Sequence, residues 1–305
     1  MNWSLFFDLT VSGLTLGSVY ALIALGYSMV YGILKLLNFA HGDVYMIGAF
    51  IGWYALHALG GPVSPSVSAW IAVAAMFIAA LIGCGLLGVV IERFAYRPLR
   101  NAPRIAPLIS ALGVSFFLQN SALLLFGAAF RNYQSYDLIG SRTFSAGNLY
   151  FGTPQLLTVS GALVLMVVLT VVVARTTVGK AMRATSYDRE AAAMMGIDID
   201  KVIVFAFVLG SALAGAAGVL FALRVPTYAT IGFLIGLKGF TAAVIGGIGS
   251  IPGALAGGLV LGFAESYTQG YVSTRWSDLL VFVILILFLL FRPQGLLGKA
   301  DIRKV

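Results

Sequence analysis

The sequence predicts an all-α polytopic membrane protein of about eight to ten transmembrane segments, in which two inverted-repeat halves each contain an interrupted helix. Composition is the first observation: 60% of the 305 residues are hydrophobic and only 10% are charged, and the mean hydropathy is +0.98. Soluble domains do not reach these values. The second observation is a series of charge-free intervals long enough to cross a bilayer, and the third is a pair of polar, glycine-rich breaks within them.

Charge-free intervals mark the spans, since a helix needs about 20 apolar residues to cross the hydrocarbon core. In chain order they are 9–34, two within 44–91 on either side of GGPVSPSVS, 105–130, 156–174 and 202–223. Beyond Arg224 follow three further apolar segments with one charged residue each: IGFLIGLKGFTAAVIGGIG, GALAGGLVLGFAESYTQGY and WSDLLVFVILILFLLF. We count nine segments in a single transmembrane domain, 1–305. Residues 9–130 form the first half, 156–174 a linking span and 202–292 the second half.

Lysine and arginine beside the spans predict the orientation, because cytoplasmic loops are enriched in both. Fourteen of them fall on one side: four at 92–104, five at 175–201, four from Arg292 onward, and Lys35. Four fall on the other side, namely Arg131, Arg142, Arg224 and Arg275. The C-terminus is therefore expected in the cytoplasm and, after nine crossings, the N-terminus outside, although residues 3–8 could instead lie along the interface. Segments one to four then cross in the opposite directions to segments six to nine, as an inverted repeat requires.

Segments two and seven carry the breaks, and in inverted-repeat transporters such breaks point to the central pathway. Segment two contains NFAHGDVYMIGAF, and segment seven is IGFLIGLKGFTAAVIGGIGSIPG. Asn38, His41 and Asp43 have two interpretations that can hold together: an N-cap that satisfies free backbone N–H groups, or the mouth of a broken helix facing a water-filled cavity. We predict a pathway across the membrane lined by Asn38, His41, Gly42, Asp43, Lys238, Thr241, Gly246, Gly247, Gly249 and Glu265.

Lys238 and Glu265 are the charges placed well within predicted segments. Each lies six residues from the outer end of its segment, about 9 Å deep at roughly 1.5 Å per residue. Since an unpaired charge at that depth is costly, we predict that the two side chains face each other and pair. The alternative is that each side chain snorkels to the outer interface.

Small residues elsewhere indicate close helix packing. Helix backbones can approach closely at the glycine pairs of GLTLG (13–17), GAFIG (48–52), GALAG (253–257) and GLVLG (258–262). The single cysteine, Cys84, is expected to be a small buried hydrophobic residue, and one cysteine excludes a disulfide framework and a cysteine-based metal site. The net charge of +8 is explained by topology and does not indicate nucleic-acid binding.

The sequence lacks catalytic motifs. The nearest approach to the phosphate-binding loop GxxxxGK[ST] is ARTTVGKA, where Ala174 and Ala181 replace the glycine and the hydroxyl residue. No Ser/His/Asp, His/Cys or paired-carboxylate cluster occurs at a catalytic spacing. We therefore expect a non-catalytic protein that binds no metal or cofactor directly, so that any ATP hydrolysis takes place on another chain.

The longest inner connection, RTTVGKAMRATSYDREAAAMMGIDIDK, predicts a short amphipathic helix. Helix formers run from Gly179 to Met195, Gly196 provides a stop, and Asp198 or Asp200 is a candidate N-cap for the next span. An apolar stripe can form from Met182, Ala191, Met194 and Met195. A helix lying on a membrane favours Lys and Arg on its polar face, whereas this one mixes both signs, which favours docking to a protein partner.

Three stretches carry a resemblance to a known family: GLTLGSVYALIALGYSMVYGILKLLNFAHGDVYMIGAF, GKAMRATSYDREAAAMMGID and GLKGFTAAVIGGIGSIPGALAGGLVLGFAE. Over essentially the whole chain, the sequence resembles the LivH-type permease subunit of branched-chain amino-acid ABC importers. The resemblance implies a subunit of the bacterial inner membrane that translocates branched-chain, hydrophobic amino acids by alternating access. It further implies a LivM-like second permease, two cytoplasmic ABC ATPase subunits that bind ATP, and a periplasmic amino-acid-binding protein.

By the same resemblance, residues 179–198 are the cytoplasmic coupling helix that meets the ATPase. Its expected contact residues are Gly179, Arg183, Asp188, Arg189, Glu190, Gly196 and Asp198. Relatives of similar sequence are permeases for urea or short amides, which is an alternative substrate class. An ion-coupled secondary transporter with Glu265 as its relay and a channel-like pore are further alternatives, but neither has a use for the amphipathic inner stretch.

Overall fold

The computed structural model describes residues 3–63, 67–100, 102–103, 105–140, 142–147 and 149–298. Helices dominate this part of the chain, as the sequence predicts. They are α1 (Trp3–Leu34), α2 (His41–Ala58), α3 (Ala69–Ile91), α4 (Ile105–Phe126), α5 (Ser135–Ile139), α6 (Thr153–Arg175), α7 (Thr177–Tyr187), α8 (Arg189–Met194), α9 (Ile199–Ala222), α10 (Ile231–Gly246), α11 (Ile251–Tyr271) and α12 (Thr274–Phe291). Two short helical turns, Glu92–Tyr96 and Arg97–Leu99, continue α3, and the antiparallel strands β1 (Thr143–Ala146) and β2 (Leu149–Gly152) form a hairpin before α6.

Each of the nine predicted segments coincides with a helix, but within the described residues only six helices, or seven spans if a bent pair counts as one, are long and apolar enough to cross a membrane. Within the described residues, α1, α3, α4, α6, α9 and α12 are each long and apolar enough to cross a membrane, whereas α10 and α11 meet that criterion only as a pair bent by 119°. With 18 residues in α2 and 16 in α10, these helices are about 27 Å and 24 Å long, less than the roughly 30 Å of a hydrocarbon core. The two interrupted segments are therefore short, although α12, with 18 residues, is as short as α2.

The helices pack in a pattern that repeats between the two halves. Helix α1 packs mainly against α11, and α9 packs against α3 in the matching way. Likewise α10 crosses α1, and α2 crosses α9. The contact between α1 and α11 (segments one and eight) thus corresponds to the contact between α9 and α3 (segments six and three), as an inverted repeat requires. The boundaries of the halves and of the linking span stay predictions.

Glycines set the close contact between α1 and α11, which confirms the packing predicted for GLTLG and GLVLG. A Cβ atom on Gly17 would lie 2.9 Å from the Cα of Leu259, so a larger residue would force the helices apart. Gly262 packs in turn against the backbone of Gly17. Between α2 and α9, Gly48 and Gly215 make a similar approach. Cys84 is fully buried nearby, as expected.

Burial separates a central group of helices from an outer one. Within the most apolar 18-residue stretch of α1 and of α9, 72% of the residues are buried inside the protein. The corresponding share in α3, α4, α6 and α12 is only 11% to 33%. Their exposed side chains are mainly aliphatic and aromatic, including Leu86, Leu124, Val168 and Leu290. The outer helices therefore present the apolar surface, and the interrupted helices lie against the centre.

Candidate functional site

The break between α1 and α2 contains the polar stretch that the sequence singled out. Helix α1 ends at Leu34, Lys35 takes a left-handed conformation (φ 56°), and α2 begins at His41. The residue at the N-cap position is Ala40, and no side chain caps this helix. The N-cap interpretation of Asn38 or Asp43 is therefore wrong: Asn38 Oδ1 instead accepts a hydrogen bond from the Ala40 N–H at 3.1 Å, which stabilises the turn before the helix.

Asn38, His41 and Asp43 are all buried, at 2%, 1% and 0% exposure. The Asp43 carboxylate accepts a hydrogen bond from Ser115 of α4, and the His41 ring lies edge-on to Tyr27, with 4.7 Å between ring centroids. Among the described residues, three buried atoms of this group have no hydrogen-bond partner: Asn38 Nδ2, His41 Nε2 and Asp43 Oδ1. Buried polar atoms are normally paired, so three unpaired ones within six residues mark a site that can offer hydrogen bonds to a polar solute.

The N-termini of the two interrupted helices meet at this point. A Cβ atom on Gly42 would lie 2.6 Å from the Cα of Gly236 in α10, and one on Gly232 would lie 2.7 Å from Asp43 Oδ1. Only glycine permits this approach of two backbones. Because the start of a helix carries partial positive charge, both helices direct the positive end of their dipole toward one region.

The remaining glycines of the predicted pathway lie at the other end of α10. Gly247 and Gly249 have positive φ values of 102° and 92° and form the sharp bend into α11. The chain after α12 folds back onto this end: the N–H groups of Leu296 and Leu297 donate to the carbonyls of Ile245 and Gly246 at 2.8 and 2.9 Å. The bend is thus a capped turn, separated from Gly42 by the length of α10.

Thr241 lies on the same helix and is fully buried. Its hydroxyl donates to the carbonyl of Leu237 in the preceding turn at 2.9 Å. The structure therefore brings Asn38, His41, Gly42 and Asp43 together, but places Thr241 and the Gly246–Gly249 bend farther along α10.

Lys238 and Glu265 form a buried ion pair, as predicted from their matching depth. Lys238 Nζ lies 2.7 Å from Glu265 Oε1, and the side chains are only 6% and 4% exposed, so the snorkelling alternative is wrong. Two partners were missed from the sequence: Asp278 of α12 contacts Lys238 at 2.7 Å, and Tyr20 of α1 donates to Glu265 Oε2 at 2.8 Å. This network joins α1, α10, α11 and α12, and its contribution to a pathway stays a prediction.

The sequence did not predict Asp278 as a partner of Lys238, because Asp278 is the fifth residue of α12 and its position resembles that of an ordinary interfacial charge. Its carboxylate is indeed half exposed, at 49%. Only the packing of α12 against α10 brings it to Lys238.

The stretch predicted to be cytoplasmic consists of two helices, α7 and α8, rather than the single helix expected over residues 179–198. Asp188 separates them with an extended backbone (φ −153°), and its side chain accepts hydrogen bonds from the N–H groups of Glu190 and Ala191. An aspartate that caps the next helix cannot continue the previous one, which explains the break. At the far end Gly196 has a φ of 82°, and Asp198 rather than Asp200 caps α9 by accepting from the Lys201 N–H at 3.1 Å.

The environment of Asp198 and Asp200 also differs. The hydrogen bond from the Lys201 backbone is the main cause that holds the pKa of the Asp198 carboxyl below its ordinary value. Asp200 instead pairs with Arg97 at 2.7 Å. Asp198 therefore caps α9 and pairs with Lys201 of the same helix at 3.0 Å, whereas Asp200 links α9 to the turn after α3.

Helices α7 and α8 are bound to the ends of two spans. Ser186 donates to the carbonyl of Gly32 at 2.7 Å, and Arg189 donates through Nε to the carbonyl of Ile33 at 3.0 Å. These are among the last carbonyls of α1, which a helix leaves without an internal partner. On the other side Gly179 packs against the end of α6, and Arg183 donates to the carbonyl of Val173 there.

The predicted apolar stripe does not lie on one face. Met182 is buried, whereas Met194 and Met195 are 85% and 83% exposed, and Tyr187 is 85% exposed. The break at Asp188 rotates the two parts relative to a continuous helix, so the stripe is divided. Met194 and Met195 of the stripe, together with Tyr187, which was not part of it, are three large exposed side chains on the predicted cytoplasmic side.

Comparison with known proteins gives consistent matches. The family model described as branched-chain amino acid transport system / permease component matches residues 9–289. The chain is 45% identical over 302 residues to the high-affinity branched-chain amino acid transport system permease protein LivH of Salmonella typhimurium, covering 96% of both chains. It is 43% identical to the corresponding permease protein BraD of Pseudomonas aeruginosa, covering 97% of this chain and 96% of that protein.

A more distant similarity links the chain to a second type of permease. LivM of Escherichia coli is 27% identical over 305 residues, covering 94% of this chain and 70% of that longer protein. The resemblance to the LivH type that three stretches of sequence indicated is thus confirmed over nearly the whole chain.

Proposed function

The chain belongs to the branched-chain amino acid transport system permease family, and from this premise we propose that it is the LivH-type permease subunit of an ABC importer for branched-chain, hydrophobic amino acids. The observation that carries the proposal is the similarity to LivH along 96% of both chains. The chain supplies the membrane pathway, and separate ATPase subunits supply the energy.

The point where α2 and α10 meet is the proposed centre of that pathway. An amino-acid zwitterion carries an ammonium and a carboxylate, and this region offers a partner for each: Asp43 Oδ1, which is unpaired among the described residues, and the partial positive charge at the starts of two helices. The backbones of Gly42 and Gly236 touch here. Translocation therefore requires α2 and α10 to separate, and their glycine contact is the proposed gate.

Helices α7 and α8 are the proposed coupling segment. Tyr187, Met194 and Met195 offer the exposed apolar surface that docks to an ATPase subunit. Ser186 and Arg189 connect that surface to the end of α1, and six residues separate that end from α2. A displacement of α7 and α8 would consequently move the break that contains Asn38, and with it the start of α2, which contains Asp43.

The complete assembly would contain a LivM-like second permease, two cytoplasmic ABC ATPase subunits that bind ATP, and a periplasmic amino-acid-binding protein. The apolar faces of α3, α4, α6 and α12 provide surface for lipid and for the second permease. In the inner membrane, the positive-inside rule places α7 and α8 in the cytoplasm. The basic residues Lys299, Arg303 and Lys304, which belong to the cytoplasmic C-terminus in this topology, lie outside the described residues.

The test is reconstitution of the complex purified from its own host. Subunits that co-purify are identified by mass spectrometry, and uptake of labelled leucine or urea into proteoliposomes is measured with ATP, with the binding protein and with an ion gradient alone. We expect ATP-dependent uptake of leucine. Uptake driven by an ion gradient without ATP would overturn the proposal in favour of a secondary transporter. Uptake of urea but not of leucine would show that the proposed substrate class is wrong.

Coupling is tested with Met194→Asp, which places a charge in the proposed docking surface. We expect loss of substrate-stimulated ATP hydrolysis with the fold retained. The matched control is Val63→Asp, because Val63 is 75% exposed in the loop between α2 and α3, on the predicted outer side. Equal behaviour of the two variants would contradict the coupling assignment.

A further inference from the structure

A cavity of about 300 Å³ lies where the end of α1, the turn after α3, the start of α4 and helix α8 come together. Three of its lining residues are basic: Lys35, Arg100 and Arg189. Its apolar lining includes Leu34, Leu36 and Pro107. In the predicted topology the cavity lies on the cytoplasmic side, at the level where spans begin and end.

The carboxylates of Glu92 and Asp200, near the cavity, already form ion pairs with arginines. Arg100 binds both Glu92 and Asp200 through its terminal nitrogens, and Arg97 also binds Asp200. Together with Arg189 and Lys35, four cations face two carboxylates, so the cluster keeps an excess of positive charge.

The basic side chains that line the cavity retain N–H donors without an acceptor among the described residues. Arg100 Nε is buried and has no hydrogen-bond partner among the described residues. Arg189 uses Nε and one terminal nitrogen to hold the carbonyl of Ile33, which leaves its other terminal nitrogen. Lys35 is exposed at the cavity edge. A guanidinium fork and an ammonium are the groups with which proteins bind phosphate oxygens.

The cations also disfavour one another. The pKa of the Arg189 guanidinium is held below its ordinary value, first by partial burial and then by the positive charge of Arg100. An anion between the two would remove this repulsion and satisfy the free donors together.

We propose that this cavity binds the phosphate group of an anionic phospholipid of the cytoplasmic leaflet, with Lys35, Arg100 and Arg189 as its ligands. Lipid rather than free phosphate is favoured because part of the lining is apolar. In addition, α4 starts beside the cavity with Ile105 and Ile109 exposed at 68% and 61%, a surface suited to an acyl chain. Basic pockets at the cytoplasmic ends of spans bind anionic headgroups by this combination of charge and depth.

The proposal is independent of what the protein transports. Because Arg189 also holds the end of α1, a bound headgroup would stabilise the contact between α8 and α1. Anionic lipid would thus strengthen the connection between the cytoplasmic helices and the first span.

The experiment uses the protein purified with its co-purifying subunits and stripped of native lipid. The unfolding temperature is measured against dioctanoyl phosphatidylglycerol, dioctanoyl phosphatidylcholine and sodium phosphate at constant ionic strength. We expect a saturable rise with phosphatidylglycerol only. Lys35→Gln should raise the half-saturating concentration about fivefold, the effect of one cation near an anionic surface. Arg93→Gln is the matched control, since it removes an exposed charge on the same side without lining the cavity.

Two further variants keep the test independent of folding defects at Lys35. Arg189→Gln should weaken phosphatidylglycerol binding, whereas Arg189→Lys, which retains the charge, should largely preserve it. The absence of a saturable phosphatidylglycerol effect, or an equal loss in Lys35→Gln and Arg93→Gln, would overturn the proposal. A full response to sodium phosphate alone would overturn the lipid assignment.

Discussion

Replacement of Lys238 by methionine should destabilise the protein, because Glu265 would keep a buried carboxylate without its ammonium partner. Glu265 is 3% exposed, and Lys238 Nζ lies 2.7 Å from it. Loss of one partner of a buried ion pair costs about 3 to 5 kcal/mol. Glu265 keeps hydrogen bonds from Tyr20 at 2.8 Å and Gln269 at 3.0 Å, so we expect a cost near the lower limit, about 3 kcal/mol.

A double-mutant cycle separates the pair from the side chains alone. Glu265→Gln removes the stranded charge, so Lys238→Met combined with Glu265→Gln should be more stable than the sum of the single effects by about 1 to 2 kcal/mol. Rescue is incomplete because Asp278 also loses Lys238. Since half of that carboxylate is exposed to water, we expect its contribution to be small.

The assay is reversible denaturant unfolding in mild detergent, with Lys180→Met as the matched control. Lys180 is exposed on α7, and its replacement should leave the midpoint unchanged. If the two single effects at Lys238 and Glu265 add without any interaction energy, then the ion pair contributes no stability and the reasoning from burial fails.

Three other substitutions test contacts described above. Gly42→Ala should reduce uptake at least tenfold, because its Cβ would lie 2.6 Å from the Cα of Gly236, whereas Gly113→Ala, with no atom within 4 Å, should transport normally. Asp188→Ala should cost about 1 kcal/mol through loss of the α8 cap and lower ATPase coupling, while Asp188→Asn, which can still cap, should retain both stability and coupling. Gly258→Leu should lower stability by about 1 to 3 kcal/mol through overpacking, measured by the same unfolding assay, because a Cβ there would already clash with Ala21. Wild-type stability of Gly258→Leu would contradict the close approach of α1 and α11.

Features with a strong local or depth signal were predictable from the sequence. The nine predicted segments correspond to nine helices at the expected places. Depth alone paired Lys238 with Glu265, since a bilayer makes isolated charges costly wherever they occur. The glycine pairs in α1 and α11 were assigned to packing because small residues leave few alternatives inside a membrane.

Competition between local interactions was harder to predict. At Asp188, helix formers on both sides favour a continuous helix, yet the side chain caps α8 and breaks it. At Asn38 the sequence predicted a cap that the structure does not have. Asn38 is a good capping residue, but it lies two positions before Ala40, the residue that occupies the N-cap. Both errors concern where a helix begins or ends, and amino-acid composition does not predict helix ends to within about one or two residues.

Contacts between distant parts of the chain had no signal in a single sequence. Ser186 reaches Gly32 across 154 positions, and Leu296 caps a carbonyl of α10 about 50 residues earlier. Neither pair carries a periodic pattern or a charge that requires a partner. They depend on where complete helices lie in the folded protein.

The packing of α1 has a consequence for synthesis. Its closest neighbours are α11 and α9, and Gly17 meets Leu259, so α1 is synthesised long before the helices against which it packs. During that interval α1 must rest in lipid or beside the insertion machinery with its small-residue face uncovered. Assembly of the core around α1 is therefore a late event, which cannot be completed before α11 has been synthesised.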